Sequence, residues 1–410
     1  MLKNYLKIAI AVLRRRKFFT FISLFGISFT LSILMVLTAF IDKVVGDNYP
    51  DKKRDRSLYI SRLSEVGKGN MSSGLMSYYF LSHYAGSLKT PVKMAITSGF
   101  RGTNTYVNNK KIAVNYKYTN ASYWDILEYN FLEGKAFNKQ QVDNADKVAV
   151  ISKDMKNEYF GDVSSVIGQY IEADNVKYRV IGVVENVPIT SYMTYSDIYL
   201  PYTVAKDGGY KTNKSYQGGY YGILLANSTS DVDKMHNEYE QMVQRLPITD
   251  KNYDHIFSHA DTYIKSYVDT GNEDQSGTFI VVTAISIFVI ILMILPTLNL
   301  VNINITRIME RSSEIGVRKA FGASSRTLVY QFIVENIILT LLGGVIGGIL
   351  SVIALRVINS ANLIANLELT INFTVLFIGL LVCLIFGLLS GVYPAWRMSK
   401  LNVVTALKAQ

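Results

Sequence analysis

The chain has 410 residues, of which 49% are hydrophobic and 18% are charged, and it carries a net charge of +10. Its mean hydropathy is +0.19, and the apolar residues are concentrated in a few long runs. This distribution excludes an ordinary soluble globular protein and predicts a membrane protein with several spans.

The first 17 residues are rich in Lys and Arg and are predicted to form a cytoplasmic amphipathic arm. Leu2, Leu6 and Ile10 recur at helical spacing opposite Lys3 and Lys7, so the arm is expected to lie along the inner membrane surface. A plain extension of the first span is the alternative. The following apolar run is too long for a cleaved signal peptide and lacks a small-residue cleavage site, so it is interpreted as an uncleaved anchor.

Four apolar runs are long enough to cross a bilayer. Residues 18–41 contain no charge, and a helix of this length would span ~36 Å, against ~30 Å for a bilayer core. Residues 275–306 and 369–396 are also free of charge, and residues 327–355 contain only Glu335. The sequence therefore predicts four transmembrane helices.

The distribution of basic residues predicts the orientation. The segments expected inside the cell, residues 1–17, 307–326 and 397–410, hold fourteen basic and two acidic residues. The large segment 42–276 is nearly balanced, with 27 basic and 28 acidic residues. This asymmetry follows the positive-inside rule, which places both termini in the cytoplasm. The basic excess thus reports topology and contact with anionic lipid, and it does not indicate nucleic-acid binding.

Residues 42–276 are predicted to form an extracytoplasmic α+β domain, and they contain 25 of the 28 tyrosines. Tyrosine suits half-buried strands and interfaces, where the ring packs and the hydroxyl stays wet. Apolar and β-branched runs predict strands at 147–152, 177–188, 196–202 and 220–228. Helical periodicity, with Ser230 or Asp231 as cap, predicts a helix at 230–246. Polar composition predicts loops at 47–73 and 205–219.

The outer domain shows no catalytic signature. There is no G-x-S-x-G, H-E-x-x-H or CxxC motif in the sequence. His255 and His259 have the spacing of two ligands on one helix face, but no third ligand can be placed. Solvated side chains near a domain edge are the favoured interpretation, so no metal, no cofactor and no enzymatic activity are predicted for this chain.

A short basic segment between the second and third apolar runs has the pattern of an amphipathic helix. Ser312 or Ser313 can cap it, Glu314 stands in its first turn, and Gly322 is placed to end it. The segment is predicted to lie across the inner membrane surface between two spans. A bare connector whose charges only obey topology is the alternative.

This segment resembles the "E-I-G-[IV]-R-[RK]-A-[LF]-G-A" signature of the MacB/FtsX-type ABC transporter permeases. It reads Glu314, Ile315, Gly316, Val317, Arg318, Lys319, Ala320, Phe321, Gly322 and Ala323. The resemblance extends to residues 120–138 and to the C-terminal "YPAWRMSKLNVVTALK". Lys135, Met398 and Val403 depart from the residues usual in the family.

The resemblance implies an assembly and its partners. Two permeases, a second copy or a paralogue, would pair, and Glu314–Ala323 would be a coupling helix seated on a dimeric ABC ATPase. ATP and Mg would be bound by that ATPase, because the sequence contains no G-x-x-x-x-G-K-[ST] motif. MacB carries its ATPase domain ahead of the first span, whereas this sequence begins 17 residues before it. The ATPase is therefore expected to be a separate polypeptide.

The resulting fold class is an α-helical membrane protein of four transmembrane helices, with a large α+β extracytoplasmic domain between helices 1 and 2. The predicted segments are the arm 1–17, span 18–41, MacB-like porter domain with an inserted subdomain 42–276, span 277–305, coupling loop 306–326, span 327–355, outer loop 356–372, span 373–395 and cytoplasmic tail 396–410. The predicted location is the bacterial inner membrane.

Three further features lie on the spans. Pro296 interrupts the second span near its inner end and permits a kink. Glu335 is an ionisable group within the third span, and a structural role is favoured over a transport role. Gly343, Gly344 and Gly347 have the spacing that allows close helix contact, at a seam between helices or at the interface between two permeases.

These features together predict a non-catalytic permease subunit. ATP hydrolysis by the partner would move the extracytoplasmic domain through the first two helices and drive export from the periplasm or the outer leaflet. A periplasmic adaptor and an outer-membrane channel would then be further partners. The alternatives are an FtsX-like or peptide-sensing signalling permease and a lipoprotein-releasing permease.

Overall fold

The computed structural model describes residues 17–46, 48–107, 110–248, 250–269, 277–292, 325–374 and 376–382, with a few single residues beyond these ranges. They form two compact units. One lies within residues 1–42, 283–363 and 368–410, and the other comprises residues 43–282 and 364–367.

The first unit contains long apolar helices. The helices are α1 (Lys17–Val45), α9 (Gly277–Leu292, which begins in the second unit) and α10 (Ser325–Ala361). Within the described residues, α1 and the Ile333–Ser360 part of α10 are long and apolar enough to cross a membrane, with hydropathies of 2.3 and 2.5. These two helices are candidate membrane spans. That the chain has four transmembrane helices stays a prediction.

The small-residue stripe of α10 packs against α1. A Cβ atom added at Gly343 would lie 2.8 Å from Cγ2 of Ile27, and one at Gly347 would lie 3.0 Å from the carbonyl oxygen of Ser28. The Ser32 hydroxyl donates to the Gly347 carbonyl at 3.1 Å. The missing side chains thus let two backbones approach closely, as in other small-residue helix contacts. Gly344 instead faces the side chain of Leu380.

Replacement of Gly347 by alanine is expected to destabilise this helix contact, because α1 would have to move away to admit the methyl group. Gly348→Ala is the matched control, since a Cβ there would meet only Cδ1 of Leu376 at 3.9 Å. Both variants gain the same helix propensity. We expect Gly347→Ala to be less stable than Gly348→Ala by about 1 kcal/mol. Thermal unfolding in detergent measures the difference, and equal midpoints would contradict the contact.

The second unit is built on a mixed sheet. Among the described residues its strands are β1 (Ser57–Val66), β2 (Met71–Met76), β3 (Lys93–Ser98), β4 (Arg101–Val107), β5 (Lys110–Thr119), β6 (Phe131–Gly134), β7 (Val148–Ser152), β8 (Tyr170–Ala173), β9 (Val176–Val184), β10 (Ile198–Pro201), β11 (Gln217–Gly218), β12 (Tyr220–Leu225) and β13 (His255–Asp261). The strand order is β11-β2-β1-β12-β3-β5-β10-β7-β9-β6, and β13, β4 and β8 pair with β1, β5 and β9. The pairs β5–β10 and β7–β9 are parallel, and the others are antiparallel.

Helices cover both faces of this sheet. They are α2 (Tyr78–His83), α3 (Ser122–Ile126), α4 (Lys139–Asp143), α5 (Lys153–Phe160), α6 (Gly209–Thr212), α7 (Val232–Gln244) and α8 (Tyr263–Tyr267). Alternate residues of one strand enter different cores: Ile198 and Leu200 of β10 face one core, and Tyr199 faces the other. Burial on two faces explains why the central strands read as continuous apolar runs.

The four predicted strands and the predicted helix are confirmed, as β7, β9, β10, β12 and α7. Asp231 stands at the cap position of α7, but its side chain makes no capping hydrogen bond. The predicted loop at 47–73 is wrong, because it contains β1 and the start of β2. Ser61 and Arg62 interrupt the apolar pattern of β1, although its first five residues are buried. The predicted loop at 205–219 holds only the short α6 and β11.

Candidate functional site: a buried junction at the end of the first helix

The C-terminal end of α1 is held by an arginine from the segment that follows it. The guanidinium of Arg54 donates from Nη1 to the carbonyl oxygen of Val44 at 3.2 Å and also to that of Gly46. The last carbonyl groups of a helix lack partners within the helix and carry partial negative charge. Arg54 therefore satisfies them with a full positive charge.

Arg54 is buried, and its charge is balanced by Asp51. Its Nε lies 3.2 Å from Oδ2 of Asp51, and the two side chains are only 5% and 1% exposed. The hydroxyl of Tyr59, on β1, donates to the same Asp51 oxygen at 2.7 Å. Burial and the neighbouring carboxylate raise the pKa of Tyr59 well above its usual value, so its hydroxyl keeps the proton that it donates.

Tyr263 completes the group from the other end of the domain. Cζ of Arg54 lies 3.6 Å from the centre of the Tyr263 ring, and this ring meets that of Tyr59 edge-on at 5.2 Å. Burial raises the pKa of Tyr263 to about 12, although the charge of Arg54 opposes this. We call Asp51, Arg54, Tyr59 and Tyr263 the junction cluster.

The junction cluster joins the two ends of the outer domain. Val44 lies in the last turn of α1 and Gly46 directly follows the helix. Tyr59 lies on the first strand, and Tyr263 begins α8, the last described element before α9. Within this unit, a displacement of the end of α1 would act through buried polar contacts on both the first strand and the last helix of the outer domain. Such contacts are costly to break when one partner is lost.

No sequence pattern indicates this cluster. The segment containing Asp51 and Arg54, "DKKRDR", is a dense run of charge without apolar periodicity and is typical of a solvated loop. Tyr263 lies more than 200 residues further along the chain. Only the fold brings these residues together.

A second buried cation lies in the middle of the sheet. Lys117 on β5 is 0% exposed, and its Nζ donates to the carbonyl oxygens of Tyr192 and Met193 at 2.9 and 2.7 Å. Burial lowers the pKa of Lys117 to about 7. The lysine thus ties β5 to the segment between β9 and β10, and it is close to losing its charge at neutral pH.

The same segment is anchored by tyrosine hydroxyls. Tyr123, Tyr129 and Tyr199 all donate to the carbonyl oxygen of Thr194, at 3.2, 2.6 and 2.8 Å. The three rings are buried in the core. The sequence instead predicts half-buried tyrosines whose hydroxyl groups stay in contact with water. Their shared acceptor explains how so many tyrosines can be buried, since each of these hydroxyls keeps a partner.

The two histidines considered as metal ligands, His255 and His259, lie on β13, so they do not share a helix face. His255 is exposed, as expected, but Nδ1 of His259 lies 2.8 Å from Oε1 of Glu240. Although burial lowers it, the hydrogen bond to Glu240 raises the pKa of His259 above its usual value overall. In the part of the chain that the structure describes, no group of three or more His, Cys, Asp or Glu side chains is placed to hold a metal ion.

All residues of the predicted coupling helix, Glu314–Ala323, lie outside the described residues. So do Pro296, residues 1–10 of the predicted arm and the tail 396–410. Glu335 is described, and it is buried in α10 with 1% of its surface exposed.

Comparison with known protein families assigns the chain to a class. The family model of the MacB-like periplasmic core domain matches residues 20–242, and that of the FtsX-like permease C-terminal domain matches residues 286–403. The first match alone covers more than half of the chain. The protein is therefore a membrane permease with an extracytoplasmic core domain, and it belongs to the MacB/FtsX-type ABC transporter permeases.

Two curated relatives illustrate the similarity. The pyoverdine export ATP-binding/permease protein PvdT of Pseudomonas fluorescens is 28% identical over 288 residues, which is 70% of this chain and 41% of that protein. The macrolide export ATP-binding/permease protein MacB of Acinetobacter baylyi is 28% identical over 237 residues, or 56% of this chain and 32% of that protein. The chain thus spans about two fifths or less of the length of these relatives.

Two solved structures are similar to part of the chain. A domain of a permease protein from Porphyromonas gingivalis matches 52% of this chain and 92% of its own, with 13% identity and a TM-score of 0.42. The periplasmic region of MacB from Actinobacillus actinomycetemcomitans matches 53% of this chain and 94% of its own, with 16% identity and a TM-score of 0.37.

Proposed function

We propose that this chain is the permease subunit of an ABC transporter in which a separate ATPase moves the extracytoplasmic domain and so drives export. The substrate is taken up from the periplasm or from the outer leaflet of the inner membrane. The subunit has four spans with both termini in the cytoplasm, and it pairs with a second copy or a paralogue. Membership in the permease family supports this role.

The junction cluster is the observation that carries the mechanical part of the proposal. The helix that ends at Val45 is capped by Arg54, which contacts α8 through the Tyr263 ring and is linked to the first strand through Asp51 and Tyr59. Because the side chains of the junction cluster are buried, they have little freedom to change rotamer when α1 is displaced. A push along α1 therefore reaches the domain as a movement of the whole end of the sheet.

The sequence and the relatives support the proposed partners. The sequence of 410 residues contains no P-loop motif. The two relatives are named ATP-binding/permease proteins, and they are much longer than the region that matches this chain. We assign ATP and Mg binding to a partner ATPase dimer, with Glu314–Ala323 as its docking helix. The word "export" in both names favours export, with a periplasmic adaptor and an outer-membrane channel, over signalling or lipoprotein release.

Charge reversal in the docking helix tests the proposal. We expect the tagged wild-type chain to retain an ABC ATPase during purification from its native membranes, identified by mass spectrometry. Glu314→Lys combined with Arg318→Glu should reduce the retained ATPase by about tenfold or more, because each reversal replaces attraction by repulsion.

Lys400→Glu is the control, because it changes charge on the same predicted side of the membrane outside the docking helix. It should retain the ATPase at the wild-type level. Retention of the ATPase by the doubly reversed chain, or hydrolysis of ATP by the purified chain alone, would contradict the proposal.

A further inference from the structure

A cavity of about 540 Å³ opens on the outer domain beside the carboxyl ends of two parallel strands. The strands are β5 and β10, and the residues that directly follow them, Asn120 and Tyr202, both line the cavity. The other walls come from α2, α3, α4 and the segment before α4. In α/β proteins, ligands bind in the crevice outside the carboxyl ends of parallel strands. The position and the volume are therefore those of a small-ligand site.

Part of the cavity wall is apolar. Phe137 and Val142 line it from the buried core, and Trp124 lines it with a partly buried ring. The indole N–H of Trp124 is buried and has no hydrogen-bond partner in the part of the chain that the structure describes. Buried polar groups of native proteins nearly always have a partner. This N–H therefore favours a ligand that brings a hydrogen-bond acceptor.

The charges at the cavity are matched. Oδ2 of Asp125, on α3, lies 2.8 Å from the ammonium group of Lys93. Oδ2 of Asp143, on α4, lies 2.6 Å from the ammonium group of Lys139 one helical turn before it. Each carboxylate at the cavity thus has its own cation, and all four side chains are partly exposed to water, which screens them. The cavity therefore gives little advantage to either a cation or an anion.

Hydrogen-bonding groups remain available at the cavity. Among the described residues, Oδ1 of Asp125, Oδ1 of Asp143 and the hydroxyl of Ser122 have no hydrogen-bond partner. The ammonium group of Lys139 carries three N–H donors, of which Asp143 accepts one. The cavity thus presents acceptors and donors side by side without excess charge. A hydroxyl group, which donates and accepts at once, matches such a surface.

We propose that this cavity binds a neutral saccharide of one or two rings. The sugar hydroxyl groups donate to the carboxylates of Asp125 and Asp143 and exchange a hydrogen bond with the Ser122 hydroxyl. A sugar oxygen accepts from the indole N–H of Trp124, and the C–H groups of the sugar ring contact the apolar wall at Phe137. The site goes beyond the proposed transport function, because binding requires neither nucleotide nor ATPase.

The fluorescence of Trp124 tests this site. The chain has two tryptophans, Trp124 and Trp396, so Trp396→Phe leaves a single reporter on the cavity wall. The purified full chain is titrated with maltose, cellobiose and N,N′-diacetylchitobiose in a zwitterionic detergent that has no sugar head group. We expect a saturable change in emission with at least one of these sugars. Triethylene glycol, which carries oxygen atoms but no hydroxylated ring, should give no comparable change.

Variants of the cavity wall locate the binding. Asp125→Ala and Asp143→Ala should each weaken sugar binding about tenfold, because each removes a charged hydrogen-bond acceptor. Asp162→Ala, at an exposed position outside the cavity, is the matched control and should leave binding unchanged. Ala136→Phe should abolish binding because its ring fills the cavity, whereas Ala113→Phe, exposed on β5 and outside the cavity, should not. Thermal unfolding of each variant checks that it is folded.

Absence of a saturable signal with all three sugars would overturn the proposal, as would sugar binding that a folded Ala136→Phe variant retains. Glucose is also compared with glucosamine and glucuronate. Binding of either charged sugar about tenfold or more tighter than that of glucose would overturn the proposal in favour of a charge-selective site. None of these results depends on ATP hydrolysis, so failure of this site and failure of the transport proposal are distinguishable.

Discussion

Arg54→Met is expected to destabilise the outer domain by about 3–5 kcal/mol, the cost of removing one partner from a buried ion pair. The carboxylate of Asp51, which is 1% exposed, would lose its contact with the guanidinium and would keep its hydrogen bond from the Tyr59 hydroxyl. The carbonyl groups of Val44 and Gly46 would also lose their donor. Methionine fills a similar volume, so the loss reports charge and hydrogen bonding more than packing.

Thermal unfolding of the detergent-solubilised chain, followed by near-UV circular dichroism, measures this loss. The signal reports the outer domain, because 25 of the 28 tyrosines lie in residues 42–276. Lys52→Met is the control: Lys52 lies 3.9 Å from Glu128 in an exposed pair, and its loss should cost at most about 1 kcal/mol. An Arg54→Met chain as stable as this control would show that the junction cluster does not hold the helix end.

The double variant Asp51→Asn, Arg54→Met separates stability from transmission. Removal of both charges should restore much of the lost stability, because no uncompensated charge stays buried. The helix end would still lack its cationic cap. We therefore expect this variant to fold but to transport less than the wild-type complex, and full transport would contradict a transmitting role for the cluster.

The stability of the outer domain is expected to rise between pH 7 and pH 9 through Lys117. Its pKa is about 7 in the folded chain, whereas an unfolded lysine has a pKa of about 10.4. Between these values the unfolded chain binds more protons than the folded one, so stability increases with pH. Below pH 7 the lysine is charged in both states and the full penalty of burying its charge is present. The rise from pH 7 to pH 9 should be about 2 kcal/mol.

Comparison with Lys117→Met isolates this contribution, because other titrating groups act equally in both proteins. The difference in unfolding free energy between wild type and variant should change by about 2 kcal/mol over this pH range. Lys110→Met, whose side chain is 70% exposed at the start of the same strand, should follow the wild-type profile. A pH-independent difference between wild type and Lys117→Met would show that the buried lysine does not titrate there.

The parts of the fold that depend on continuous apolar runs could be predicted from the sequence. The strands β7, β10 and β12 are buried on both faces, so nearly every residue in them is apolar and the signal is strong. In β9 the exposed Lys177 and Arg179 alternate with buried residues before a buried run that ends at Val184. The helix α7 was predictable because Met235, Tyr239 and Val243 lie on one buried face. Local composition determines these elements.

The elements that were missed depend on distant contacts. In β1, Ser57 and Ser61 are buried beside apolar residues, so the strand has neither a clean alternation nor a pure apolar run. The pair of Asp51 and Arg54 resembles a solvated charge run until Tyr59 and Tyr263 close over it. Lys117 lies among tyrosines on a strand, and only the carbonyl groups of Tyr192 and Met193 show why a lysine is accepted there.

The most direct test of the account measures whether nucleotide moves the outer domain. The chain has a single cysteine, Cys383, so Cys383→Ser followed by Lys68→Cys allows one spin label at an exposed loop of the domain. In the complex of two labelled permeases with the ATPase, we expect the distance between the labels to change when ATP is trapped. The Asp51→Asn, Arg54→Met variant should show a smaller change. An identical distance in the nucleotide-free and ATP-trapped complexes would contradict the transmission of force from the ATPase to the outer domain.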